Sequence, residues 1–437
     1  MTEQARLTTR EAAQRLGVKP ETVYAYVSRG QLSSERAPGG RGSTFDAREV
    51  DALARRGNRR EPSAAGATGG ELSFPTALTL IDKDRYFFRG VDAVELATAY
   101  GFEEVAEWVW TGELTRGARF TAPPPFLEAA RRAAGALPAH SGAMDRLRVA
   151  AVAVSAADPL RFDLDPSAVL GCGRMLIPTL VGALPKAART ESDADDTDDT
   201  DDGDDGGRLA GRLWRRLTPQ VPDAASIGLL DTALALLIDH DLAASTLAAR
   251  VAASARAHPY AVVSAGLGAL EGPLHGAASG LAHRTLAEVL ERGGAAPVVA
   301  DHLRSGRRVP GLGHRLYTGE DPRATALFAL LDAIPRAADA LAAARDVVDT
   351  TARHTALYAN VDLALAVMSV AFGMPAEAGE TVFAVARTAG WIAHALEEYA
   401  ERPLRMRPSG HYTGPRPPRP LPLQGPSTGR PGAAASQ

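Results

Sequence analysis

The chain is 437 residues long, with 45% hydrophobic and 23% charged residues and a formal net charge of −4. That length holds two or three domains at roughly 150 residues each, and the composition is that of an ordinary globular protein with ample material for a core. Its one cysteine, Cys172, excludes a disulfide scaffold and a multi-cysteine zinc site, and fits a reducing compartment.

No apolar run follows Met1, so no signal peptide is expected, and the chain reads as cytoplasmic. Thr8 and Glu11 make a capping-box pattern that starts a helix running to Leu16. Gly17-Val18 supplies a turn, Pro20 suits the first position of a second helix, and Gly30 is placed to end it. Two short helices about a tight glycine turn predict a helix-turn-helix. After it, PGGRGST at 38–44 reads as a short wing and residues 46–56 as a closing helix. Residues 1–60 hold twelve Lys/Arg against seven Asp/Glu, a local net of +5. If the second helix enters a major groove, Lys19, Thr22, Tyr26 and Arg29 are the candidate contacts, with phosphate attraction from the basic side chains. The other reading is a helical module that docks on protein. The stretch LTTREAAQRLGVKPETVYAYVSRGQL resembles the excisionase- and MerR-type DNA-binding helix-turn-helix.

Residues 61–71 form a small, Gly-rich linker. The insertion at 190–207 is acidic, with ten Asp/Glu and no Lys or Arg among residues 191–205. It repels itself and is read as a disordered surface loop. Residues 414–437 contain seven prolines and read as an extended, disordered tail. Between these segments the chain is Ala- and Leu-rich with helical spacing. Leu230, Leu234, Leu237, Ile238 and Leu242 recur at helical steps in 227–257, and Phe383, Ala386, Trp391 and Leu396 do so in 381–399. The longest apolar run, 356–374, contains Asn360 and Asp362, which would be expensive in a membrane. The main body is therefore expected to be all-α.

Four clusters carry the chemistry. The first is Asp239-His240-Asp241, followed by Ser245-Thr246; alone, His240 is as readily a polar residue near a helix end. The second is Glu271-Gly272-Pro273-Leu274-His275-Gly276, where a glycine-bounded turn lets a ligand come close to His275. The third joins Val309-Pro310-Gly311-Leu312-Gly313-His314 to Asp321-Pro322-Arg323. This loop can present main-chain groups to a flat or anionic ligand but lacks P-loop spacing. The fourth is Asn360-Val361-Asp362. A carboxylate in so apolar a run has a raised pKa unless paired, as a general base working near neutrality requires; a helix cap or a buried ion pair is the other reading.

Together these clusters resemble the citrate synthase family, in order and spacing, over about residues 72–415. The motif DHELNAST appears as DHDLAAST, GPLHGGAN as GPLHGAAS, and GFGHRVY…DPRA as GLGHRLY…DPRA. NVD is kept, as is FAxARTxGWxAH from Phe383 to His394. Arg407-Pro408 and Tyr412-Thr413-Gly414 are similar to the family's closing RPRxxYTG.

The resemblance implies an all-α fold of large and small helical domains behind a winged helix-turn-helix, with the body at 72–413 and the small domain at roughly 262–368. It implies condensation of acetyl-CoA with oxaloacetate, then hydrolysis of the citryl thioester to citrate and CoA. Asp362 would be the base, His275 would stabilise the enol or enolate, and His314 would polarise the oxaloacetate carbonyl. His240, Arg323, Arg387 and Arg407 would hold oxaloacetate, Arg407 reaching across a homodimer from the partner subunit. Val309, Gly311, Leu312 and Gly313 would meet CoA through backbone. No metal or resident cofactor is implied, acetyl-CoA being a substrate.

Three departures border this site: NVDFYSG continues as NVDLALA, Ser279 replaces an amide, and Ile81-Asp82-Lys83-Asp84-Arg85 lacks a usual turn glycine. Two alternatives stay open: a 2-methylcitrate synthase using propionyl-CoA, and a DNA-binding regulator whose synthase-like body senses oxaloacetate or an acyl-CoA.

Overall fold

The computed structural model describes residues 6–16, 18, 20–28, 32–36, 43–51, 73–187, 207–272, 275–409 and 411–416. The chain divides into two compact units, one of residues 1–73 with 408–437 and the other of 74–407.

In the N-terminal unit, the Thr8 backbone N–H and hydroxyl both donate to Glu11 Oε2 at 2.8 Å, and the helix Thr9–Leu16 follows. Glu11 returns its own N–H to the Thr8 hydroxyl at 3.4 Å, which completes the capping box. Pro20 opens the second helix, Pro20–Ser28. Strands β1 (Arg6–Thr8), β2 (Ser34–Arg36) and β3 (Ser43–Asp46) form an antiparallel sheet in the order β1-β3-β2, and residues 47–51 begin a further helix. This is a winged helix-turn-helix built on a small core of Ala12, Ala13, Val23, Leu32, Phe45 and Val50. Thr22 is half-buried, and Tyr26 packs against that core, leaving Tyr24 as the exposed tyrosine of the second helix. Lys19, Arg29, wing residues 37–42, the linker at 61–71 and the acidic segment 191–205 lie outside the described residues.

Among its described residues, the larger unit is helical apart from one small antiparallel meander of β4 (Thr79–Asp82), β5 (Arg85–Phe88) and β6 (Val91–Asp92). Lys83, at the β4–β5 turn, takes φ 55°, so the left-handed position is occupied here without glycine. The helix Ala378–Ala400 is buried along most of its length and packs against Pro166–Ala183, Ala244–Ser254 and Pro259–Leu270. Two glycines make that burial feasible. A Cβ on Gly266 would lie 2.5 Å from the Trp391 ring, and one on Gly390 would collide with the Ile238 carbonyl. The second contact seats the segment before His240 directly on the helix that carries Arg387. A second group of helices, Ala278–Arg292, Ala295–Arg304, Pro322–Asp332, Ala338–Ala352 and Val361–Ala371, packs mainly on itself.

The apolar periodicity read across 227–257 covers two helices, Ala224–Leu236 and Ala244–Ser254. The break falls at 237–243, where Asp241 adopts φ 58°. Ala224–Leu236 is buried on nearly every side, so its apolar spacing carries no mark of where it ends. Among the described residues, Pro166–Ala183 is the one helix long and apolar enough to cross a membrane. Half of it is buried within the fold, and its Arg174 pairs with Glu107.

Candidate active site

Helix ends and glycine turns place the site residues. Asn360 caps the helix Val361–Ala371, its Oδ1 accepting the N–H of Asp362 at 3.0 Å and of Leu363 at 3.4 Å. Asp362 therefore sits in the first turn, partly buried. Burial pushes its carboxyl up to about 6, with the Asp321 charge adding and Arg323 opposing. This is the raised value expected of an acid in an apolar run.

Gly311 and Gly313, at φ 81° and 79°, fold the preceding loop against residues 358–360. Gly313 N–H donates to the Tyr358 carbonyl at 2.8 Å and Asn360 N–H to the Gly311 carbonyl at 3.0 Å, with Leu312 opposite Ala359. In a pair of this kind the middle residue's N–H and C=O point away from the neighbouring segment. Leu312 thus turns its backbone polar groups outward, and a Cβ on Gly311 would come within 2.8 Å of Leu363 Cβ. The loop is pressed onto the helix that carries Asp362.

Asp321 joins the third and fourth clusters. Its carboxylate takes Arg323 in a fork, Nε at 2.9 Å and Nη2 at 2.8 Å, and also accepts the Val361 N–H at 3.0 Å. Burial works against its ionisation, but the Arg323 charge and hydrogen bonds hold it below the usual range. His314 lies beyond the fork. Its Nδ1 lies 3.1 Å from the Leu316 backbone nitrogen and its Nε2 3.3 Å from Arg323 Nη2. Both neighbours are donors, and a neutral imidazole accepts at only one of its two nitrogens. Burial and Arg323 push His314 down to about 4. It stays neutral, and a ligand oxygen is the natural third party.

His240 is buried, with Nε2 at 2.7 Å from the Tyr317 hydroxyl. Its ring is edge-on to Tyr86 and to His314, at centroid distances of 5.6 and 5.2 Å. Burial, then Arg323 and Arg387, hold its pKa well below the ordinary value. His275 follows the turn after helix Pro259–Leu270, with Nε2 at 2.8 Å from the Ser245 hydroxyl and its ring against Phe383. Gly276 is required there, because a Cβ would meet the Leu270 carbonyl at 2.5 Å. Burial and the Arg387 charge push His275 down to about 4.

Arg387 is buried, and burial pulls it down to about 10 against the supporting charge of Asp239. Its Nε donates to the Leu237 carbonyl at 2.9 Å, while Nη1 is buried with no partner. Such an orphan costs stability unless a ligand satisfies it.

The structure thus interlinks His240, His314, Arg323 and Arg387, sets His275 within reach of the Arg387 charge, and couples Asp362 to Arg323 and Asp321. Val309 is buried at the start of the glycine loop, and Arg407 is exposed on the single chain. Asp239, Ser245, Tyr317 and Asp321 escaped selection from the sequence as partners of the site, although all four lie inside the quoted motifs. Among the described residues, no group of three or more His, Cys, Asp or Glu is placed to hold a metal ion.

A family model described as "Citrate synthase, C-terminal domain" matches residues 68–409, and one described as "Helix-turn-helix domain" matches residues 6–58. The citrate synthase of Haloferax volcanii is 30% identical over 363 residues, covering 79% of this chain and 94% of that protein. The 2-methylcitrate synthase 2 of Corynebacterium glutamicum is 27% identical over 342 residues, covering 75% and 88%. The crystal structure of citrate synthase from Thermotoga maritima superposes with a TM-score of 0.62 at 26% identity, covering 82% of this chain and 97% of that one.

Proposed function

The chain belongs to the citrate synthase family of acyltransferases, and from that premise we propose that it condenses acetyl-CoA with oxaloacetate and releases citrate and CoA. The Asp362 carboxylate takes a proton from the acetyl methyl group. Neutral His275 donates a hydrogen bond to the thioester oxygen as the enolate forms, and its Ser245 contact fixes the ring. The nucleophilic carbon attacks the keto carbon of oxaloacetate, whose carbonyl electron pair moves to oxygen and takes a proton from His314. Water then cleaves the citryl thioester, freeing citrate and the CoA thiol. Arg323, Arg387, His240 and the partner subunit's Arg407 bind the dicarboxylate. Val309, Gly311, Leu312 and Gly313 receive CoA, with the outward backbone of Leu312 as its hydrogen-bonding edge. The reading calls for no resident cofactor.

The observation that supports this most is the open donor of Arg387, whose Nη1 is buried without a partner, together with neutral His314 beside the Arg323 guanidinium. Such a set fits a dianion with a keto oxygen. The working unit in this reading is a cytoplasmic homodimer whose body spans 72–413, with a small domain over roughly 262–368 and a DNA contact made through the N-terminal module. The module's match over residues 6–58 supports the last element.

The test is free-thiol release from acetyl-CoA with oxaloacetate, with propionyl-CoA in parallel. Faster release from propionyl-CoA selects the 2-methylcitrate reading, the name carried by the Corynebacterium glutamicum relative. No release from a folded protein that binds oxaloacetate overturns the enzyme reading in favour of the ligand-sensing regulator.

A further inference from the structure

The site contains two buried arginines, each with a carboxylate close by, and the two are treated differently. Asp321 grips Arg323 through Nε and Nη2. Asp239 carries a charge that supports Arg387, yet among the described residues no hydrogen bond or ion pair joins them, and Arg387 Nη1 is left empty. What restrains Asp239 is visible. The Thr79 hydroxyl, from β4, donates to Oδ2 at 2.5 Å, and His394 Nε2 lies 3.2 Å from Oδ1. The His394 tautomer is dictated from behind. Arg250 Nη1 donates to Nδ1 at 2.8 Å, which leaves Nε2 as the protonated nitrogen that donates to Asp239. Arg250 is itself anchored by Glu397 at 2.7 Å and by Glu398 at 3.1 Å, both on the same helix as His394. Both carboxylate oxygens of Asp239 are therefore committed to other donors, one to Thr79 and one to His394.

We propose that Thr79 and His394 are positioning residues that hold Asp239 off Arg387, so that Asp239 balances the buried charge without consuming the nitrogen that binds the substrate carboxylate. An arginine buried with no counter-charge is costly, and one gripped by a bidentate aspartate has fewer N–H groups left for an anion. Diverting the carboxylate with two other donors satisfies both demands. This inference rests on the reading of Arg387 as a dicarboxylate-binding residue.

The experiment measures oxaloacetate binding by calorimetry, and KM for each substrate, on the full chain. Thr79→Val keeps the side-chain shape and removes one donor, which frees Asp239 to turn onto Arg387. Oxaloacetate Kd and KM rise on the order of tenfold, the scale of one charge-assisted hydrogen bond, while the acyl-CoA KM holds. Thr79→Ser restores wild-type values. The double variant Thr79→Val/Asp239→Asn recovers most of the lost affinity, because an asparagine cannot form the competing ion pair. A merely structural role for Thr79 gives a loss that the added Asp239→Asn deepens, and that result overturns the proposal, as does unchanged binding in Thr79→Val. Should the valine variant fail to fold, Thr79→Ala carries the same expectations. Wild-type protein that binds no oxaloacetate would instead refute the reading of Arg387, which keeps the two failures apart.

Discussion

Asp362→Asn removes one charge from the site and leaves its shape nearly unchanged. Burial pushes the Asp362 carboxyl from 3.8 up to about 6, with smaller contributions from Asp321 and Arg323. At about 1.4 kcal/mol per unit, the folded protein holds this ionised group at a cost of up to about 3 kcal/mol at neutral pH. The raised pKa belongs to an acid, so the cost is fully present above pH 6, shrinks as pH falls toward 3.8, and is absent below it. Asn carries no such charge. The variant should therefore unfold at a higher temperature than wild type at pH 7, by up to about 4 °C for a body of roughly 330 residues. The gap should close as pH falls below 6. Turnover should drop by about a hundredfold or more with the base removed, while oxaloacetate binding stays measurable because the base acts on the other substrate. In wild type, kcat should fall as pH drops through about 6. Calorimetric melts across pH 4–8 and thiol-release rates read both halves. A variant less stable than wild type at neutral pH, or one that keeps its activity, would refute the assignment of Asp362 as an ionised, desolvated base.

Gly311→Ala places a Cβ 2.8 Å from Leu363 Cβ at a φ of 81°. It should cost about 1–3 kcal/mol and raise the acyl-CoA KM while sparing oxaloacetate affinity; equal weakening of both substrates would argue against this loop as the CoA edge. Arg250→Gln breaks a buried ion pair, with Arg250 1% and Glu398 0% exposed. A stability loss of about 3–5 kcal/mol in urea unfolding is expected, and a loss under 1 kcal/mol would mean the network contributes little. Deleting residues 1–60 should leave thiol release largely intact. Loss of the dimer on that deletion would assign the module a docking role instead.

Local chemistry was legible along the chain because its causes are local. The Thr8–Glu11 capping box, Pro20 at a helix start and the glycines at 311 and 313 each act over a few residues, and each forms as the pattern implies. Motif order likewise identified the family, since His240, His275, His314, Arg323, Asp362 and Arg387 keep a fixed succession. The break at 237–243 coincides with Asp239-His240-Asp241, read from the sequence as lying near a helix end, although the apolar spacing runs on to Leu242. Which carboxylate accompanies which arginine was hidden. Asp321 grips an arginine two residues away, whereas Asp239 is tied to Thr79 and His394 across 160 and 155 residues of chain. The raised Asp362 was expected from its apolar run, whereas the neutral histidines and the open nitrogen of Arg387 follow from burial and from charges brought near by packing. The sequence alone determined which groups are present and the local turns that carry them. Only the tertiary structure decided the protonation of the histidines and which donors were left unpaired, because desolvation and Coulomb interaction depend on distance in space.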